Sequence, residues 1–237
     1  MKTRRTRHVV AIGGGGFNRE PESLAIERYM LRLTRVTRAS VCFIPTASAE
    51  PADYIARFTA AFERLGARPS VLRFFDRTPD VRELLLAQVL IYVGGGNTKS
   101  MLAVWREWGV PDILRQAWRR GIVLGGVSAG AICWFDSGIT DSWAGRLAPL
   151  PCLGMLPATC CPHYDSETDR RPAVHEFVAA GVVPPVLALD DGSAAHFVGR
   201  RLHAVVAWRE TAHGYRVRKV RGGVVETELP GVRLRQP

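Results

Sequence analysis

Apolar residues in the first two-thirds of the chain gather into short unbroken runs instead of alternating with polar ones. Residues 8–12, 41–44, 71–75, 89–93 and 122–124 are such runs, rich in Val, Ile and Leu, and runs of this length predict strands covered on both faces. Between them the apolar positions recur three and four apart. The spacing of Leu24, Ile26, Tyr29, Met30 and Leu33 predicts a helix over 22–35, and similar spacing predicts helices over 53–65, 81–87 and 100–119. Repeated strand–helix units predict an α/β fold, a mostly parallel sheet flanked by helices and joined by right-handed crossovers. From about residue 186 the helical spacing stops. Short runs at 186–189, 194–198, 202–207, 215–220 and 224–228, with turns at Asp191-Gly192, His213-Gly214 and Gly222-Gly223, predict a short antiparallel C-terminal extension over about 194–237. No repeat and no long linker divides the chain, so 1–237 reads as one domain.

Composition narrows the class. With 237 residues and 47% hydrophobic content the chain can bury a sizeable core, which excludes a disordered protein. No apolar run approaches the roughly 20 residues needed to cross a bilayer. The apolar stretch 9–12 after the basic start is too short for the core of a signal peptide. The expectation is a soluble, cytoplasmic protein with no membrane partner. The formal charge of +10 suggests a polyanionic partner. Yet lysine occurs only at Lys2, Lys99 and Lys219, and the arginines are scattered. Only residues 200–237 are locally dense, and there Tyr215 to Val220 alternates like a strand with one solvated face. No nucleic-acid partner is expected. The five cysteines form no CxxC pair, and adjacent Cys160 and Cys161 point to opposite faces of a strand, so the thiols read as reduced and no metal site is expected.

Chemistry concentrates at a few positions. Gly126-Val127-Ser128-Ala129-Gly130 follows an apolar strand and precedes a predicted helix running from Ala129 to about Phe135. Small residues there let the backbone turn sharply, which projects the Ser128 hydroxyl and frees the next N–H to hold an oxyanion. A serine nucleophile needs a base, and the base an orienting carboxylate. His8, His196 and His203 fall in strand runs, His175 in a helical run and His213 at a turn. His163, in Cys161-Pro162-His163-Tyr164-Asp165, follows a short apolar segment and so sits at a strand end, where the sites of open α/β sheets gather. Asp190 and Asp191 end another strand before a turn. The glycine turn Gly94–Gly96 lacks the spaced Lys and Ser/Thr of a phosphate-binding loop. It reads instead as the second oxyanion donor, through Gly96, beside Ala129.

Taken in order, Tyr92-Val93-Gly94-Gly95-Gly96-Asn97-Thr98, Gly126 to Gly130, Pro162-His163 and Asp191-Gly192 resemble the peptidase E (aspartyl dipeptidase) family, which includes cyanophycinases. Gly13–Gly16 and Ile44-Pro45-Thr46-Ala47 look similar too, so the likeness spans roughly residues 8–198. The resemblance implies a serine hydrolase with a sheet arrangement like class I glutamine amidotransferases. It implies Ser128 as nucleophile, His163 as base and Asp191 as its orienting acid. Asp191 stands where the family often has glutamate, and that shorter side chain leaves Asp190 as the alternative. Ser166-Glu167-Thr168-Asp169-Arg170-Arg171 resembles the segment in which an arginine receives an acidic substrate side chain, with Arg171 the first choice and Arg170 the second. Asn97 and Asp141 are carried over as further substrate-binding positions, Asp141 for a free amino group. The implied activity is hydrolysis of short peptides, above all dipeptides with N-terminal aspartate, through an acyl-enzyme and without metal or cofactor. Cyanophycinase-like or esterase activity on the same triad, or a non-catalytic binding protein of the same fold, are the alternatives. A homo-oligomer stays open.

Overall fold

Strand β1 (His8–Ile12) leads through a glycine loop to helix α1 (Ala25–Thr34). Then follow β2 (Ser40–Ile44), a 3-10 turn (Thr46–Ser48), α2 (Ala52–Arg64), β3 (Arg68–Val71), α3 (Val81–Leu86) and β4 (Leu90–Val93). Next come α4 (Thr98–Glu107), α5 (Val110–Arg119), β5 (Val123–Val127), α6 (Ala129–Ile132), β6 (Phe135–Trp143), β7 (Arg146–Pro151) and β8 (Leu156–Cys161). The remainder is α7 (Arg170–Ala180), β9 (Val186–Leu189), β10 (Ser193–Val198), β11 (Arg201–Ala207), β12 (Gly214–Val220), β13 (Gly223–Leu229) and β14 (Gly231–Arg233). The computed structural model describes residues 6–234; the basic start at residues 1–5, and residues 235–237, lie outside them. No helix among the described residues is long and apolar enough to cross a membrane.

The strands form two sheets. The first has the order β14-β11-β10-β1-β5-β4-β2-β3, and from β1 to β3 its pairings are parallel. The second has the order β13-β12-β9-β8-β6-β7, with β6, β8 and β9 parallel. The predicted α/β class with antiparallel strands toward the C-terminus is present, but those strands divide. β10 and β11 extend the first sheet antiparallel to β1, whereas β12 and β13 extend the second antiparallel to β9.

Three predicted elements need correction. The helix expected over 100–119 is two helices, because Gly109 at φ 64° starts a new one with Pro111 in its first turn. The strand expected over 71–75 lies at β3, where Ser40 to Phe43 pair with Arg68 to Val71. The helix expected from Ala129 to Phe135 ends at Ile132, and Phe135 already begins β6. One apolar cluster joins the sheets, with Leu124, Ile132, Trp134, Leu189 and Phe197 all buried in it. A second, centred on Phe17, Phe43, Phe58 and Tyr92, seals α1 and α2 onto the first sheet.

Candidate active site

The parallel strands of the first sheet end on one edge, and a tight turn on that edge follows β5. Gly126 and Gly130 bracket it: a Cβ on either would overlap the Val93 carbonyl oxygen, so only glycine lets α6 sit this close to β4. Ser128 between them has φ 58° and ψ −112°, a region non-glycine residues rarely occupy. Its backbone N–H donates to Ile12 O at 3.1 Å, which fixes the turn on the end of β1. Ala129 is the first helical residue after it, so its N–H has no intrahelical acceptor. Facing it is the glycine turn after β4. Gly96 has φ 133°, and a Cβ there would overlap Ala47 O. An ideal Cβ on Gly95 would lie 3.9 Å from Ser128 Oγ, which shows how near this turn runs to the serine.

His163 follows β8 with φ 53°. Its loop is pinned on both sides, with Tyr164 N donating to Leu189 O at 3.1 Å and Glu167 N donating to His163 O at 3.1 Å. His163 Nδ1 donates to Asp191 Oδ1 at 2.6 Å. Burial alone would raise the Asp191 pKa. The hydrogen bond from His163, with the charge of Arg19, outweighs it and holds the carboxyl below its ordinary value. Asp191 is seated by its own backbone, whose N–H donates to Asp165 Oδ1 at 2.8 Å. Asp190 is turned away: its Oδ2 accepts from His213 N at 2.9 Å, and burial pushes its pKa up to about 6. Of the two acids, the structure pairs Asp191 with His163. Gly14 makes the pair sterically feasible, since a Cβ there would overlap Asp191 Oδ1 and come within 2.7 Å of His163 Nδ1. The run Gly13–Gly16 ends the first predicted strand in the sequence; that it abuts the His163–Asp191 pair is seen only in the structure.

Ser128, His163, Gly95 and Gly96 line one cleft of about 300 Å³. The other histidines lie elsewhere: His8 and His196 share a hydrogen bond with His203 beside them, His175 binds Glu226, and His213 pairs with Glu228. Among the described residues the cleft contains two arginines, but not the expected ones. Arg170 is buried, its Nε donating to Glu167 Oε2 at 2.7 Å and its Nη1 to Ile139 O at 3.1 Å. Arg171 lies against the Tyr164 and Tyr215 rings and pairs with Glu226 Oε1 at 3.2 Å. Neither lines the cleft. Asp141 is exposed and stands 3.8 Å from Arg170. Asn97 caps α4, its Oδ1 accepting from Ser100 N at 2.9 Å while Nδ2 donates to Ser142 O. The arginines in the cleft are Arg19, 3.6 Å from Asp191 Oδ2, and Arg57, whose Nη1 is 2.8 Å from Asp53 Oδ2 and whose Nε donates to Asn18 Oδ1 at 2.7 Å.

Below the loop that carries Arg19 lies Glu27, wholly buried, its Oε1 accepting from Phe17 N at 2.7 Å. Burial, helped by the neighbouring Glu20 charge and opposed by the backbone hydrogen bonds, raises its pKa to about 7. A carboxyl whose folded pKa lies above its ordinary 4.5 lends full stability below pH 4.5 and loses it as pH rises through 7. Wild type is therefore expected to lose on the order of 3 kcal/mol of this contribution between pH 4.5 and 8. Glu27→Gln, which keeps an acceptor for Phe17 N and cannot ionise, should not show this loss. Thermal melts of both proteins at pH 5 and pH 8 check this: the stability of the Gln variant relative to wild type must rise with pH.

Comparison with known proteins identifies the family. The model of peptidase family S51 matches residues 9–205. The protein named uncharacterized peptidase YgaJ from Bacillus subtilis (strain 168) is 44% identical over 94% of this chain and 97% of its own length. A cyanophycinase from Trichormus variabilis is 25% identical over 87% of this chain, which spans 64% of that protein. The crystal structure of a peptidase from an acI-B1 Actinobacterium superposes with TM-score 0.73 at 17% identity, covering 96% of each chain. A family match across both sheets, through the strand–turn–helix at Ser128 and through His163 and Asp191, makes this chain a member of peptidase family S51, a serine-type peptidase.

Proposed function

We propose that this peptidase cleaves short peptides bearing an acidic N-terminal residue, through a Ser128–His163–Asp191 triad. The observation that carries the reading is the 2.6 Å hydrogen bond from His163 to Asp191, in the cleft that Ser128 also lines. With Nδ1 engaged by the carboxylate, His163 keeps Nε2 as its proton-transfer atom. Ser128 Oγ attacks the scissile carbonyl carbon as its proton passes to Nε2. The N–H groups of Ala129 and Gly96 hold the oxyanion. Collapse breaks the C–N bond, His163 protonates the leaving amine, and an ester to Ser128 remains. Water, its proton passing to His163, then attacks the ester carbonyl; the acyl–Oγ bond breaks, His163 returns that proton to Ser128 Oγ, and the acid leaves.

Specificity is assigned to Arg19 and Arg57, because these are the guanidinium groups in the cleft. Asp53, paired with Arg57, supplies a carboxylate for the free α-ammonium of the substrate. Both arginines are substantially exposed, which screens the contact, so the acidic preference should amount to about tenfold to thirtyfold rather than more. Asp-Leu is expected to exceed the nearly isosteric Asn-Leu by that factor in kcat/KM, and Arg57→Gln with Arg19→Gln should erase the difference. Equal rates on Asp-Leu, Asn-Leu and Ala-Leu with the wild-type enzyme would remove the acidic pocket and leave the serine hydrolase.

A further inference from the structure

The edge of the first sheet opposite Ser128 carries a second group of arginines, about 17 Å of strand away, which peptide hydrolysis does not use. Arg28, Arg32 and Arg35 recur at four and three residues along α1 and its C-cap, so they share one face of the helix. Arg38 follows in the turn into β2. The four line a groove of about 460 Å³ between the end of α1 and the turn at residues 65–67. A second hollow of about 410 Å³, with His8 and Gln88 in its wall, adjoins it and shares Arg35 and Val36. Among the described residues neither lining contains an Asp or a Glu. Among the described residues none of the four guanidinium groups forms an ion pair.

Four like charges gathered on one groove repel, and the arrangement is stable when an anion lies between them. Two further observations point to a ligand. Arg28 Nε is enclosed and has no hydrogen-bond partner, and the same holds for Oε1 of Gln88, a residue only 8% exposed. A buried polar atom left unmatched is costly. The first is a cationic donor and calls for an anionic oxygen; the second is an acceptor and calls for an N–H or O–H. We propose that these joined hollows bind a small phosphate-bearing molecule, its phosphates against Arg28, Arg32, Arg35 and Arg38 and a hydroxyl or amino group against Gln88 Oε1. Guanidinium forks match phosphate oxygens two at a time, and four of them suit a diphosphate better than a single carboxylate. Among the described residues no Phe, Tyr or Trp lines either hollow and His8 is the only aromatic ring in their walls, so the succession of stacking surfaces of a single-stranded nucleic-acid site is missing.

Calorimetric titration of the full chain with inorganic pyrophosphate and with ADP tests this. Both should bind, and Arg32→Gln combined with Arg35→Gln, at exposed positions that leave the core intact, should weaken both by about tenfold or more. Gln88→Leu should weaken ADP alone, since pyrophosphate carries no hydroxyl or amino group for Oε1. If this variant binds both anions as tightly as wild type, the groove takes phosphate only and the Gln88 contact is overturned. Arg57→Gln, in the Ser128 cleft, should leave pyrophosphate binding unchanged. The proposal is overturned if neither anion binds up to about 5 mM, or if Arg57→Gln abolishes binding while the Arg32/Arg35 variant does not. It is also overturned if an RNA oligonucleotide binds at this groove and pyrophosphate fails to compete.

Discussion

Ser128→Ala is expected to lower kcat by about four to six orders of magnitude with little change in Tm. The size follows from the role: without Oγ no acyl-enzyme forms, and what remains is water attack aided by the oxyanion donors and by binding. The small effect on folding follows from the local structure. Ser128 is tied to the sheet through its backbone N–H, which Ala retains, and Ala131 N and Ile132 N donate to its carbonyl oxygen regardless of side chain. Alanine also meets the same backbone cost at φ 58° that serine already bears. A fluorophosphonate probe should label wild type at residue 128 and leave the variant unlabelled. Peptide hydrolysis by the variant near the wild-type rate would refute Ser128 as nucleophile, and labelling at another serine would move it.

How much of the fold is legible in the sequence depends on how local the determining interactions are. The strands β1, β2, β4 and β5 are legible because burial on both faces leaves unbroken apolar runs. β6 and β7 are not, because Asp136, Ser137, Asp141 and Ser142 break the apolar pattern of β6, and Pro149 and Pro151 that of β7, in a ribbon at the edge of the second sheet. Nor does period-two spacing say which sheet a strand joins. β9 and β10 are separated by one turn, yet β9 pairs with β8 and β10 crosses to β1. At the site, Ser128, His163 and Asp191 are legible because each sits at a strand end marked by glycine or proline. The arginines are not, because their partners are remote in sequence. Glu226 claims Arg171 from 55 positions further along the chain. Arg57 looks like any solvated residue of an amphipathic helix, and only the approach of α2 to the Gly13–Gly16 loop makes it a wall of the cleft.

The second large effect separates the two adjacent acids. Asp191→Asn is expected to reduce kcat by about three to four orders of magnitude, and Asp190→Asn by less than about tenfold. Both substitutions remove one charge and almost no volume, so their difference isolates the partner of His163. A carboxylate at 191 accepts from Nδ1–H and thereby keeps Nε2 unprotonated and ready to receive the Ser128 proton. The amide of Asn can present its NH₂ to Nδ1 instead, which stabilises the opposite tautomer and puts the ring proton where the base should be. It also withdraws the negative charge that steadies the imidazolium during attack. Asp190 plays a different part. Its Oδ2 accepts from the backbone N–H of His213, and the oxygen of an Asn side chain can accept the same bond. Burial disfavours the Asp190 charge and pushes its pKa up to about 6, so a neutral amide suits that position better than it would an exposed one. Steady-state kinetics on a dipeptide substrate, with circular dichroism to verify folding, decide the matter. If Asp190→Asn is the more damaging, the orienting acid is one residue earlier and His163 must turn to reach it. If neither loses more than tenfold, Asp191 only fastens the His163 loop, and the third member of the triad lies elsewhere.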